Sequence, residues 1–315
     1  MRYRKLGRTG LKVSVICLGT MLFGDQVNEE TARAIVDTCW EAGVNFFDTA
    51  DVYVQGRSEE VLGRLLKGRR HQAVIATKVQ GVMGQGPNDR GLSRAHIMQA
   101  AEASLRRLQT DYIDLYQTHW PDYDTPLEET LRALDDLVRQ GKVRYVGCSN
   151  YPAWYLCKSL WISDVRNLAR FDCAQPRYNL LDRAIEGELL PLCAEEGIGV
   201  IPYNPLAGGF LTGKYKRGQP PPEDTRFARR KDLYVPRYWQ DSNFDAVEKL
   251  VDAARRYGKT PPQLALAWLL HNPVITAPIV GASRPSQIEE TLQAVDMTLS
   301  EEEMAACDGI QVGAH

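Results

Sequence analysis

Asp48, Tyr53, Lys78 and His119 are the residue types that would protonate and steady the oxygen of a carbonyl under reduction. Each stands at or just beyond a short apolar run. Asp48 closes Val44-Asn45-Phe46-Phe47, and Tyr53 lies in the polar loop after it. Lys78 follows Ala73-Val74-Ile75-Ala76-Thr77, and His119 follows Tyr112-Ile113-Asp114-Leu115-Tyr116-Gln117-Thr118. A phenol titrates near ~10, so at neutral pH it gives up its proton reluctantly. A neighbouring ammonium stabilises the phenolate and works to lower that value. Lys78 can supply the charge, Asp48 can hold Lys78, and His119 can bond and orient the substrate oxygen. Donors preorganised around a developing oxyanion are usually the largest catalytic contribution. Taken singly, a strand-end Asp or Lys reads as a solvated charge, His119 beside Trp120-Pro121 as structural, and Tyr53 as a surface aromatic. Their coincidence after three consecutive strand candidates carries the argument.

The elements that must position them alternate. Strand-like runs fall at residues 13–18, 44–48, 73–77, 112–117, 143–148, 171–175, 199–203 and 275–279. Amphipathic helical patterns fall at 31–41, 58–66, 93–108, 128–140, 186–195, 244–257, 285–294 and 301–307. In the first, Ala32, Ile35, Val36, Cys39 and Trp40 repeat at helical spacing. Ser93 and Thr125-Pro126 read as helix starts. Eight such units without a composition break predict an α/β fold, a (β/α)8 TIM barrel spanning residues 1–315 as one domain. Residues 2–12 predict a β-hairpin that plugs the barrel floor, with turn chemistry at Leu6-Gly7 and Thr9-Gly10. The long loop at 204–240, after the seventh strand, is rich in Gly, Pro, Arg and aromatics. Loops of that length are usually functional or disordered, and this one rises from the face where barrels build active sites.

Composition excludes several classes. A net charge of −2 with interspersed signs offers no nucleic-acid footprint. Seven cysteines, odd in number and without a C-x-x-C pair, signal neither a disulfide framework nor a zinc site. No uninterrupted apolar stretch reaches the ~18 residues of a membrane span, and Met1-Arg2-Tyr3-Arg4-Lys5 leads into no signal-like apolar core. The expected setting is the cytoplasm. A homo-oligomer is permitted, not demanded, by the aromatic loops.

Longer strings resemble one family. Phe47-Asp48-Thr49-Ala50-Asp51-Val52-Tyr53 with Gly56-Arg57-Ser58-Glu59, and Ser104-Leu105-Arg106-Arg107-Leu108 with Asp111-Tyr112-Ile113-Asp114-Leu115, resemble two aldo-keto reductase signatures. Ile201-Pro202-Tyr203-Asn204-Pro205-Leu206-Ala207-Gly208-Gly209 resembles the segment that closes over its cofactor. The resemblance runs from Arg4 to Ile288 and is nearer the long-loop bacterial and potassium-channel β-subunit-like branch. It implies NADPH-dependent reduction of aldehydes or ketones, with Tyr53 as general acid supported by Asp48, Lys78 and His119. One departure is Val54, directly after Tyr53, where the family has Gly or Ser; a branched residue there is expected to stiffen the loop and narrow the pocket.

The resemblance also implies a cofactor site. Ser149, Asn150 and Gln175 would hold the nicotinamide amide, Tyr203 would stack on its ring, and Gly19, Thr20 and Met21, with Asp48, would border that end. Asn204, Pro205, Leu206, Gly208, Leu211 and Lys214 would cover the pyrophosphate. Gly281, Ser283 and Arg284 open a helix, and helix starts attract anions; a guanidinium there suits a 2′-phosphate. Gln287 and Glu290 would meet the adenosine, with Thr291 where relatives carry Asn. No G-x-G-x-x-G follows a strand, and Gly208 to Tyr215 ends in Tyr where a P-loop needs Ser or Thr.

Phe23, Tyr53, His119 and Trp120 are the expected substrate contacts, with Met21, Asp25, Trp154, Tyr234 and Trp239 as further rim residues. A second reading is an NADP(H)-binding sensor with slow turnover. A metal-dependent barrel hydrolase would need several His and carboxylate ligands at strand ends, and His119 alone is so placed, so no metal is expected.

Overall fold

Residues 1–310 are described by the computed structural model. Its strands are β1 (Tyr3–Lys5), β2 (Lys12–Ser14), β3 (Cys17–Gly19), β4 (Phe46–Asp48), β5 (Val74–Val79), β6 (Ile113–Thr118), β7 (Val143–Ser149), β8 (Phe171–Gln175), β9 (Gly199–Val200) and β10 (Ile279–Gly281). The first two form an antiparallel hairpin; the other eight form one parallel sheet, ordered β10-β3-β4-β5-β6-β7-β8-β9. Single bridges Val200↔Ile275 and Tyr203↔Ile279 bring the two edges together. Thr276 N donates to Val200 O at 2.7 Å and Ile279 N to Pro202 O at 2.8 Å across that seam. The architecture is the (β/α)8 barrel expected.

Parallel strands covered on both faces are apolar almost throughout, and every residue of β5 is buried. Leu6 and Val13 of the hairpin join Phe46, Leu115, Cys173 and Ile201 in the barrel interior, all buried. The hairpin turn therefore seals the floor. Its Gly7 (φ 55°) lies so close to the backbone at the start of β9 that a Cβ would stand 2.4 Å from Gly197 O and 2.5 Å from Gly199 N. Only glycine fits there.

Two strands differ from expectation. Residues 13–18 are not one strand: Lys12–Ser14 pairs with β1, and the chain enters the barrel only at Cys17. The eighth strand is displaced to Ile279–Gly281 because Pro278 has no N–H for a ladder. Two further helices follow barrel strands. Ala153–Arg166 carries Trp154, Trp161 and Val165 on its exposed face, which blurs its apolar periodicity. Pro261–His271 is buried nearly all round and starts with a Thr260/Gln263 capping box.

The segment 204–240 is not an open loop. It folds into the short helices Arg226–Arg229 and Lys231–Tyr238. Phe210, Tyr215, Phe227, Tyr234, Tyr238 and Trp239 pack against one another beneath them. Most of its aromatics thus build the loop's own core.

Candidate active site

The carboxyl ends of β4, β5 and β6 deliver three functional side chains to one point. Lys78, on β5, is fully buried, and its Nζ donates to Asp48 Oδ1 at 2.6 Å and to Thr49 O at 2.7 Å. The same nitrogen lies 3.4 Å from Tyr53 Oη. His119, just past β6, meets the Tyr53 ring edge-on with centroids 5.6 Å apart. The four residues expected to cooperate therefore share one site. Asp48 Oδ2 accepts from Gln175 Nε2 at 2.8 Å and from Gln117 Nε2 at 3.4 Å, so the whole carboxylate is partnered.

Charge and burial set the protonation states. Burial works against the Lys78 ammonium, but Asp48 and Tyr53 outweigh it and hold its pKa above the ordinary lysine value. Burial raises Tyr53 and overcomes the opposing pull of Lys78. The phenol is thus a held acid, more reluctant than the ammonium alone would make it. Burial, reinforced by Lys78, lowers His119 to about 3, which leaves a neutral imidazole at physiological pH. A neutral imidazole can donate one hydrogen bond without competing for the proton.

The loop that carries Tyr53 is bolted from beneath. Ser58 Oγ lies 3.0 Å from Thr20 Oγ1 and 2.9 Å from Thr49 Oγ1, and donates to Thr20 O at 2.8 Å. Glu59, fully buried, accepts from Thr77 Oγ1 and from Arg107 Nε, each at 2.6 Å. Asp51 Oδ1 accepts from Val52 N at 2.6 Å while Oδ2 has no partner, and burial with the nearby Glu59 raises its pKa to about 7. Val54 adopts φ 51°, ψ 40°, a left-handed conformation that is a true outlier for a branched residue. Val54 is not among the residues lining the cavity beside Tyr53. Its effect falls on loop geometry, not on pocket width.

That cavity has a volume of about 390 Å³, with Tyr53 and His119 on its wall and Met21, Trp120 and Tyr234 around them. Other expected rim residues lie elsewhere. Phe23 is buried in the core, Trp154 stacks on Tyr123 at the surface, Trp239 packs with Phe210 and Phe244, and exposed Asp25 does not line the cavity. Spacing could not separate these aromatics, because whether a ring faces a pocket or a core depends on tertiary packing.

The cavity continues into a cleft of about 640 Å³. Gly19, Met21, Asp48, Ser149, Asn150, Gln175 and Tyr203 line the reactive end. Tyr203 Oη donates to Asn150 Oδ1 at 2.8 Å, Asn150 Nδ2 to Ser149 Oγ at 3.0 Å, and Ser149 Oγ to Gln175 O at 2.8 Å. Asn204, Pro205, Leu206, Gly208, Lys214, Gly281, Ser283, Arg284, Gln287, Glu290 and Thr291 line the cleft. Two expected cofactor contacts do not. Thr20 is fully buried under Asp48 and Ser58, and Leu211 is fully buried in the loop core. Gln287 Oε1 already accepts from Ser283 N at 2.8 Å, which pins the start of the helix Pro285–Gln293.

The cleft suits a dinucleotide phosphate. Gly208 (φ 69°) lines the cleft with bare backbone, and a Cβ there would stand 2.5 Å from the Tyr234 ring. Burial and the neighbouring cations Arg226 and Arg284 depress the Lys214 pKa against the opposing Asp224. Three cations so crowded are relieved by an anion. Sequence reasoning missed Thr49, Gln117 and Arg107, whose signal is their place inside or beside the signature strings. It also missed Arg226, Arg230 and Arg237, whose signal was only the arginine content of the long segment. Among the described residues no three of His, Cys, Asp or Glu gather as a metal site, and no helix is long and apolar enough to cross a membrane.

Comparison with known proteins agrees with this geometry. The aldo/keto reductase family model matches residues 15–312. The "Uncharacterized oxidoreductase YrpG" of Bacillus subtilis is 42% identical over 313 residues, 96% of this chain and 93% of that one. An Arabidopsis thaliana protein named "Probable voltage-gated potassium channel subunit beta" is 42% identical over 304 residues, 94% of this chain and 92% of its own. A rice protein of the same name is 40% identical over 304 residues, 94% of this chain and 92% of its own. With a match over nearly its whole length and a barrel whose strand ends hold the Asp48, Tyr53, Lys78 and His119 cluster, the chain belongs to the aldo/keto reductase family and is related to oxidoreductases.

Proposed function

We propose that the protein reduces aldehydes or ketones to alcohols with NADPH, Tyr53 acting as general acid. The observation that carries this reading is the contact of one buried Lys78 Nζ with both Asp48 Oδ1 and Tyr53 Oη, 2.6 and 3.4 Å away. NADPH, when bound, supplies a hydride. The carbonyl oxygen, gaining the C=O π pair as its carbon is reduced, would take the proton from Tyr53 Oη. Lys78 steadies the resulting phenolate and Asp48 holds Lys78 charged. His119, neutral, donates to the same oxygen and orients it. Proton return from solvent resets Tyr53.

Ser149, Asn150 and Tyr203 would hold the reactive end of the cofactor, and Lys214, Arg226 and Arg284 its phosphates. The Arg284 guanidinium at a helix start supports NADPH over NADH. The substrate would be a small-molecule carbonyl compound, and seven free cysteines fit a reducing cytoplasm. Titrating the protein with NADPH and NADH by tryptophan fluorescence, then screening carbonyl compounds, tests the reading. Tighter binding of NADPH, with turnover, is expected; failure to bind either cofactor would overturn it.

Relatives named as potassium channel β subunits favour a second reading, a regulatory subunit that binds NADP(H) and turns over slowly. It predicts tight cofactor binding with one slow turnover per binding event on every carbonyl offered.

A further inference from the structure

The wall of the reactive cavity carries more positive charge than carbonyl reduction needs. Arg226, Arg230 and Arg237, all from segment 204–240, line it. Asp48 is the one carboxylate among its lining residues, and Lys78 neutralises it. Among the described residues Arg230 has an ion pair only with Asp232, at 3.7 Å, where both side chains are largely exposed and the attraction is weak. The Arg226 guanidinium lies over the Tyr234 ring, 5.9 Å from its centroid.

Cofactor phosphates do not explain all three. Arg226 lines both the cavity and the cleft, but Arg230 and Arg237 line the cavity alone. The cleft has its own cations in Lys214, Arg229 and Arg284. Two guanidinium groups therefore face the cavity that substrate would share with the reactive end of the cofactor, apart from the cleft that would hold the cofactor phosphates. Leu22, Trp120, Leu233 and Ile279 supply the apolar part of that wall. An apolar pocket with few placed polar groups reads its ligand through those groups. Guanidinium forks match carboxylate and phosphate oxygens.

We propose that the substrate is a small carbonyl compound bearing an anionic group, a carboxylate or a phosphate monoester. Arg230 and Arg237 hold that group at the lip while the carbonyl meets Tyr53 and His119. This rests on the reductase reading and narrows it to a substrate class. The volume of about 390 Å³ keeps the compound small.

The test uses matched pairs with NADPH: succinate semialdehyde against its methyl ester, and glycolaldehyde phosphate against glycolaldehyde. The charged member of at least one pair should have the higher kcat/KM, by about tenfold or more, the worth of a charged hydrogen bond. Which pair shows it separates carboxylate from phosphate. In Arg230→Gln/Arg237→Gln the ratio should fall toward one, chiefly through KM, while the NADPH affinity measured alongside reports any disturbance of the cofactor. Arg230→Lys/Arg237→Lys should restore part of the preference. Equal or higher kcat/KM for both neutral members would overturn the proposal and leave the reductase reading standing. If NADPH binds but no carbonyl turns over, the reductase reading fails. Calorimetry of the NADP-loaded protein with succinate and with phosphoglycolate then decides the anion site by itself. Absence of heat from both would overturn it.

Discussion

Lys78 and Asp48 illustrate how a buried ion pair serves chemistry at a cost to stability. Each charge is nearly inaccessible to solvent, so each depends on the other. Removing one partner of a buried pair costs about 3–5 kcal/mol, because the survivor is left uncompensated. Lys78→Met should therefore destabilise strongly in denaturant melts, and adding Asp48→Asn should recover about 1–3 kcal/mol of that loss. Simple additivity of the two would contradict the pairing. His119 gives a sharper test. Its pKa is lowered to about 3, below its unfolded value. The folded state thus declines a proton that the unfolded chain accepts, and that contribution to stability is lost as pH falls from near ~6.5 toward 3. Above that window the imidazole stays neutral, so kcat for carbonyl reduction should show no break from His119 between about pH 5 and 8. A break that disappears in His119→Gln would contradict the burial argument. These four residues were legible in sequence because each follows an apolar strand. The pKa directions of Tyr53 and His119 were not, since burial decides them, and burial reverses the direction expected for Tyr53.

The loop between β4 and the helix Arg57–Leu65 is the element that aims Tyr53. Its hydroxyl clasp of Thr20, Thr49 and Ser58 and its Glu59–Arg107 pair fix the base, while Val54 and Gln55 hold left-handed backbone at the tip. Left-handed geometry costs an L-residue about 1–2 kcal/mol, and glycine avoids that cost. Val54→Gly should therefore raise stability by roughly 0.5–1 kcal/mol, after the larger entropy of glycine in the unfolded chain is subtracted. A lower melting temperature for that variant would show that Val54 makes compensating contacts. Gly56 is the opposite case: at φ 90° a Cβ would stand 2.6 Å from Arg107 Cδ. The sequence marked this loop through its signature residues. It could not reveal that the Thr20 hydroxyl is buried in the clasp, because only contacts show which way each of Gly19, Thr20 and Met21 points on leaving β3. The reading of Trp154 and Trp239 as rim residues failed for a similar reason: aromatic content is visible in a sequence, but packing partners are not.

On the scale of the molecule, eight strand ends converge on one cavity, a hairpin seals the opposite floor, and segment 204–240 arches over the reactive side. The alternation of strand and helix patterns made the barrel legible in sequence. The helix Pro261–His271 was missed because burial on nearly every side erases amphipathic periodicity. The arched segment was legible as a long connection but not as a folded cover, since its two short helices depend on aromatic packing and not on local pattern. Cofactor bound beneath that cover should stabilise the fold by about 2.7 kcal/mol when present at a hundredfold excess over its Kd. The most direct test of the whole account is to compare wild type and Tyr53→Phe in the NADPH-dependent reduction of one accepted carbonyl, with cofactor affinity measured on both. The account predicts that the variant loses nearly all turnover while binding NADPH as tightly as wild type. Retained turnover in Tyr53→Phe would contradict its role as the proton donor.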